Sequence, residues 1–110
     1  IDLFEELRTI LGGFEPVVLK MVIDELDGLS KQRGHAGAAA RLGLSLGRTC
    51  IIADGSDLKT GSVDEQVVEY AAQNGCLVVT NDRRLRDELF TRGIGVISMR
   101  KQKKLELLQR

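Results

Sequence analysis

The sequence has no Trp, one Tyr and three Phe. Sequence-tolerant binders of single strands stack bases on aromatic faces, so that mode has little material here. Val, Ile, Leu and Ala must build the core. Two isolated Cys and a single His make neither a zinc site nor a disulfide framework. Cys50 and Cys76 each precede an apolar, strand-like run and read as small buried hydrophobes. No apolar run approaches the length of a membrane span, and no signal-peptide pattern is visible. A soluble, cytoplasmic protein with no membrane partner is the expectation. An excess of one charge is missing too: Lys plus Arg is 16, Asp plus Glu is 16, and the net charge is zero. Bulk attraction to nucleic acid is thereby removed, though local patches remain. The 110 residues suit one domain with a modest core, and neither a repeat nor a linker interrupts them.

What is present centres on Cys76-Leu77-Val78-Val79-Thr80-Asn81-Asp82. The apolar run lacks alternation, as expected of a strand covered on both faces. Asn74-Gly75 ends a helix before it, and Arg83 opens another after it. Helix, buried strand, helix is the pattern of a parallel α/β sheet. Ligands of such sheets sit outside the carboxyl ends of the strands, where Asn81 and Asp82 fall.

The remaining segments agree. Asp2 to Leu11 carries Leu3, Phe4, Leu7, Ile10 and Leu11 as one helical stripe, with Asp2 as cap. Pro16 to Leu19 is a short strand, and Pro suits its first position. Met21, Val22, Leu26 and Leu29 recur at helical spacing, and Lys31 to His35 reads as a polar turn. Ala36 to Leu46 is an Ala/Gly-rich helix suited to close packing. Thr49 to Ala53 is a second buried strand, and Asp54 to Gly61 a polar loop. Ser62-x-x-Glu65 is a capping box opening a helix that Gly75 closes. Leu85, Leu89 and Phe90 point inward from the Arg83 helix, and Ile94 to Met99 forms a last strand. The tail from Arg100 to Lys104 is the one strongly basic stretch.

Three acids stand where a strand-end cluster could form. Asp82 ends the central strand, and it equally suits the N-cap of the helix from Arg83. Asp64 lies in a first helical turn, where an acid also complements the helix dipole. Glu25 lies on the helix after the first strand, between Asp24 and Asp27, and spacing does not choose among the three. An all-carboxylate cluster favours a hard cation, Mg²⁺ or Mn²⁺. Such an ion activates water and stabilises charge on a phosphoryl oxygen. Without it, gathered carboxylates repel one another.

At these residues the chain resembles the PIN-domain nucleases, above all the small archaeal proteins related to the Fcf1/Utp24 ribosome-processing factors. The likeness is carried by Val22 to Leu29, by Val63-Asp64-Glu65-Gln66-Val67-Val68, by Val79-Thr80-Asn81-Asp82-Arg83-Arg84-Leu85-Arg86, and by Val96 to Arg100 with the Leu105-Glu106-Leu107 tail. The resemblance implies a Rossmann-like α/β/α sandwich with a mainly parallel sheet. It implies an acidic site binding Mg²⁺ or Mn²⁺ for endonucleolytic cleavage of RNA. By position Glu25 is the family's second acid, Asp64 its third and Asp82 its fourth; Thr80 and Asn81 shape the strand end. The family's first acid ends an N-terminal strand, and no such strand precedes Asp2. The expectation is therefore one PIN-like domain, residues 1–110, with its first strand missing from the chain.

That reading gives a metal-dependent endoribonuclease acting in ribosomal RNA processing or as a toxin-type tRNA nuclease. Glu25, Asp64 and Asp82 are its catalytic metal ligands. Arg83, Arg84, Arg86, Lys101 and Lys103 hold the RNA backbone, or are plain helix-surface and tail charge. A ribosome-assembly factor or an antitoxin is the partner to expect. A homodimer is also allowed, with the Ala/Gly-rich helix either its interface or buried in the monomer. The rival is a PIN-like scaffold that binds RNA or protein without cutting. A phosphotransfer receiver would want a Lys near its last strand, and Gly95 to Met99 offers none.

Overall fold

Residues 2–55, 58, 61–100 and 104–109 are described by the structure, a computed structural model. In chain order the elements are α1 (Leu3–Leu11), β1 (Val17–Leu19), α2 (Lys20–Ser30), α3 (Gly34–Gly47), β2 (Ile51–Ala53), α4 (Val63–Asn74), β3 (Val78–Val79), α5 (Arg83–Thr91), β4 (Val96–Arg100) and β5 (Lys104–Leu108). They form two compact units, Ile1–Phe14 with Thr60–Arg110, and Glu15–Lys59. No helix among the described residues is long and apolar enough to cross a membrane.

The Glu15–Lys59 unit is a parallel strand pair with a helical hairpin. Val17, Val18 and Leu19 of β1 face Ile51, Ile52 and Ala53 of β2. The Pro16 carbonyl accepts the Ile51 N–H at 2.9 Å, so Pro opens the pairing as an acceptor and its missing donor is not needed. Small residues let α3 approach α2 closely. A Cβ added at Gly43 or Gly47 would meet the side chains of Leu26 or Ile23. The helix begins at Gly34, so His35 belongs to α3 and not to the turn expected there.

The other unit is built on a three-stranded sheet, ordered β3-β4-β5. β3 and β4 are parallel, with Val78 opposite Val96 and Val79 opposite Ile97. β5 is antiparallel to β4, pairing Met99 with Leu105 and Val96 with Leu108. One core joins Val68 and Ala71 of α4 to Leu85 and Leu89 of α5, with Ile94 and Val96. A second sets Leu7 of α1 against Ile97 and Leu105, and the predicted stripe Leu3, Phe4, Ile10 and Leu11 packs on it. Leu89, Val96 and Ile97 are completely buried. Each such side chain stabilises the fold by about 1.5–3 kcal/mol relative to an exposed one.

The tail and the strand faces also differ from expectation. The tail read as a basic stretch runs into a strand, β5, which gains its place by burying Leu105 against Leu7 of α1. The strands read as covered on both faces are not: Leu77 and Val79 are 38% and 47% exposed, Ile51 and Ile52 51% and 50%. The reason is layering, since these runs carry more apolar surface than the elements of their own units cover.

Candidate metal and RNA site

The stretch Thr80-Asn81-Asp82 leaves the sheet and starts α5. Asp82 is extended, and its Oδ1 accepts the N–H groups of Arg84 at 2.9 Å and Leu85 at 3.1 Å. The N-cap role expected of it is therefore real, and it commits one oxygen only. Oδ2 lies outside the cap on an exposed residue. Thr80 Oγ1 accepts the Asp82 N–H at 3.1 Å, which tightens the turn. Asn81 Oδ1 accepts the Met99 N–H at 2.7 Å, and Ser98 Oγ donates to the Thr80 carbonyl at 2.7 Å. Both side chains tie the end of β3 to β4. Ser98 is not singled out by spacing; its one signal is a lone hydroxyl within Val96-Ile97-Ser98-Met99.

Asp64 occupies the first turn of α4, half-buried, two residues beyond the Ser62 cap. Ser62 Oγ accepts the Glu65 N–H at 3.0 Å, which keeps Glu65 in the capping motif. Connectivity relates Asp64 to Asp82. The ends of α4 and α5 and the starts of β3 and β4 line one cleft of about 420 Å³, between Gly75, Cys76, Arg92, Gly93 and Gly95. Both helices thus finish at the amino end of the parallel pair. Asp82 directly follows β3 and so stands at the carboxyl end of the pair, while Asp64 opens α4 at the end opposite the cleft.

Glu25 lies in the Glu15–Lys59 unit, exposed on α2. Its neighbours are engaged: Asp24 pairs with Lys20 at 3.0 Å and Asp27 with Lys31 at 3.7 Å. The hydrogen bond and charge of Asp24 raise the Lys20 pKa above its usual value. Among the described residues Glu25 has no ion pair, a distinction that spacing alone does not make. No group of three or more His, Cys, Asp or Glu side chains is assembled for a metal among the described residues.

Arg83 and Arg84 are exposed at the start of α5. Arg86 is half-buried, its Nε 3.8 Å from Asp87 Oδ1 and without a hydrogen-bond partner among the described residues. Lys101 and Lys103 lie outside the described residues. Both cysteines are free and half-buried, and burial raises the Cys50 thiol pKa.

Residues 1–102 match the family model described as PIN like domain. The chain belongs to that family. Over 108 residues it is 30% identical to "Ribonuclease VapC4" of Methanocaldococcus jannaschii, covering 94% of this chain and 80% of that protein. Its fold is similar to that in "Structure of the PIN domain endonuclease Utp24", with a TM-score of 0.79 and 25% identity, covering 100% of this chain and 80% of that one. An α/β fold of the PIN class follows, with five helices and two parallel strand pairs among the described residues. The family's likenesses are thus to ribonucleases and endonucleases, in line with the resemblance read from the Val-Thr-Asn-Asp stretch.

Proposed function

We propose that this PIN-family chain is a divalent-metal-dependent endoribonuclease. The observation that carries the reading is Asp82: one carboxylate oxygen caps α5, and the other is left outside at the carboxyl end of β3. Asp64, in the first turn of α4, is proposed to reach the same ion. The donors fit a hard cation, since they are oxygens with no thiolate or imidazole among them. Mg²⁺ characteristically takes one or two carboxylates and completes its shell with water and substrate phosphate. Asp64 and Asp82 would hold the ion; Glu25 is carried as the third acid on the family resemblance alone. When bound, such an ion lowers the pKa of water and offsets charge on a phosphoryl oxygen.

The chain's own residues orient the substrate. Arg83 and Arg84 flank Asp82 on an exposed helix start, where guanidinium groups can pair with phosphates in bidentate fashion. The Arg84 and Leu85 N–H groups of that helix start are already held by the Asp82 carboxylate, so the arginine side chains are the main groups proposed for phosphate recognition. Lys101 and Lys103 are proposed to extend the same contact along the RNA. One PIN-like domain acting on ribosomal precursor RNA is one role proposed for it, on the resemblance read from the sequence; the similar solved structure is of a PIN domain endonuclease. A toxin-type nuclease with an antitoxin partner is the other role proposed from the same resemblance, and the relative VapC4 is itself named a ribonuclease. The test is Asp82→Asn: Mn²⁺ affinity by calorimetry and RNA cleavage should fall together. Retention of both would remove Asp82 from the site.

A second reading is a PIN-like module that binds RNA or protein without cutting it. What favours it is the lack of any three-ligand acidic group among the described residues. It predicts RNA binding that is indifferent to metal, and no cleavage.

A further inference from the structure

We propose that Ser98 is a positioning residue for Asp82; the proposal rests on the nuclease reading for its kinetic consequence only. In an unbroken parallel ladder, bonds alternate evenly from one strand to the next. Val78 N–H donates to the Gly95 carbonyl at 3.1 Å and Thr80 N–H to the Ile97 carbonyl at 3.0 Å. The next bond in that series would run from the Met99 N–H to the Thr80 carbonyl. It is replaced by two side-chain bonds. Met99 N–H donates to Asn81 Oδ1, and the Thr80 carbonyl accepts from Ser98 Oγ, each at 2.7 Å.

The sheet is therefore opened between Thr80 and Met99, and each half of the broken bond is closed by a side chain. The opening lets the chain leave the sheet two residues before α5. Thr80 is the pivot. Its carbonyl is held by Ser98, its N–H by Ile97, and its Oγ1 receives the Asp82 N–H at 3.1 Å. Three of its polar groups are thus fixed, and the backbone of Asp82 is hung from the third. Asn81 supplies only the acceptor for Met99. Among the described residues Ser98 alone ties the Thr80 carbonyl, so it sets the plane of the Thr80–Asn81 peptide that leads to Asp82 and, through it, the direction in which Oδ2 points.

The test compares wild type with Ser98→Ala and Ser98→Thr, the latter keeping the hydroxyl on a residue that strands favour. The first readout is the amide-proton shifts of Arg84 and Leu85, which report the geometry of Asp82 Oδ1 whether or not the protein cleaves RNA. They should move in Ser98→Ala and return toward wild type in Ser98→Thr. The second is kinetic, at a temperature where all three are folded. Ser98→Ala should lose about tenfold in kcat with KM within about twofold, and Ser98→Thr should recover most of it. Unmoved Arg84 and Leu85 shifts in Ser98→Ala would overturn the proposal. So would an equal loss in both variants. A wild type that never cleaves would count against the nuclease reading alone, and the shifts would still decide the role of Ser98.

Discussion

Arg92 Nη1 donates to Glu69 Oε1 at 2.6 Å and so joins the end of α5 to the middle of α4. The hydrogen bond first, then the charge, holds the Glu69 carboxyl below the usual carboxylate range. A folded pKa below the unfolded value, about 4.3 for Glu, adds stability that is fully present above it. That stability is lost as pH falls through the folded value. Glu69→Gln should lower stability at neutral pH and flatten the acid branch of the stability curve below about pH 4.3. The pair is exposed, so added salt should shrink the difference. Urea midpoints for both proteins from pH 2.5 to 7 check this.

Asp82 has a capping duty and a proposed ligand duty, and two substitutions separate them. Asn caps helices as well as Asp, whereas Ala does not. Asp82→Asn should keep stability within about 0.5 kcal/mol, and Asp82→Ala should lose about 0.5–2 kcal/mol. Chemical denaturation of both variants measures it. A large loss in Asp82→Asn would mean that charge, not hydrogen bonding, holds the start of α5.

Arg83 and Arg84 are exposed beside Asp82. If each contacts one phosphate, removing either makes the log–log dependence of RNA affinity on salt shallower by about 0.7 for a single strand. Binding titrations of Arg83→Ala and Arg84→Ala at three or more salt concentrations read that slope. An unchanged slope in both assigns these side chains to plain helix surface.

Gly37 is buried in α3, and a Cβ there would run into the backbone carbonyl of Gln32. Gly37→Ala should destabilise the chain by about 1–3 kcal/mol, because backbone must shift to make room. Gly28→Ala, on the open side of α2 with no atom near the new Cβ, should be neutral or stabilising by up to about 1 kcal/mol. Thermal denaturation of the two variants distinguishes close packing from simple helix propensity.

Much of this was legible because it is local. The Ser62 and Asp82 caps and the left-handed Gly75 depend on residues within four positions of one another, and the stripe on α1 on steps of no more than four. The exit of β3 at Thr80 was legible too, since a polar triplet follows an apolar run. β5 was not, because a strand of mixed polar and apolar residues is recognised by the neighbour it pairs with. The exposure of Ile51, Ile52, Leu77 and Val79 was hidden for a similar reason: an apolar run states what a strand can bury, and its neighbours decide what is covered. Spacing does not choose Glu25 over Asp24; the structure adds only that Asp24 pairs with Lys20 and Asp27 with Lys31, while Glu25 keeps its place by the family resemblance. Ser98 went unmarked because its importance lies in a bond to Thr80, 18 residues away.

Cleavage of a labelled RNA by the purified chain, followed with Mg²⁺ or Mn²⁺ and again after EDTA, tests the central claim most directly. The account predicts strand scission with either ion, none after chelation, and recovery when the ion is restored in excess. Scission that continues undiminished in EDTA would contradict it.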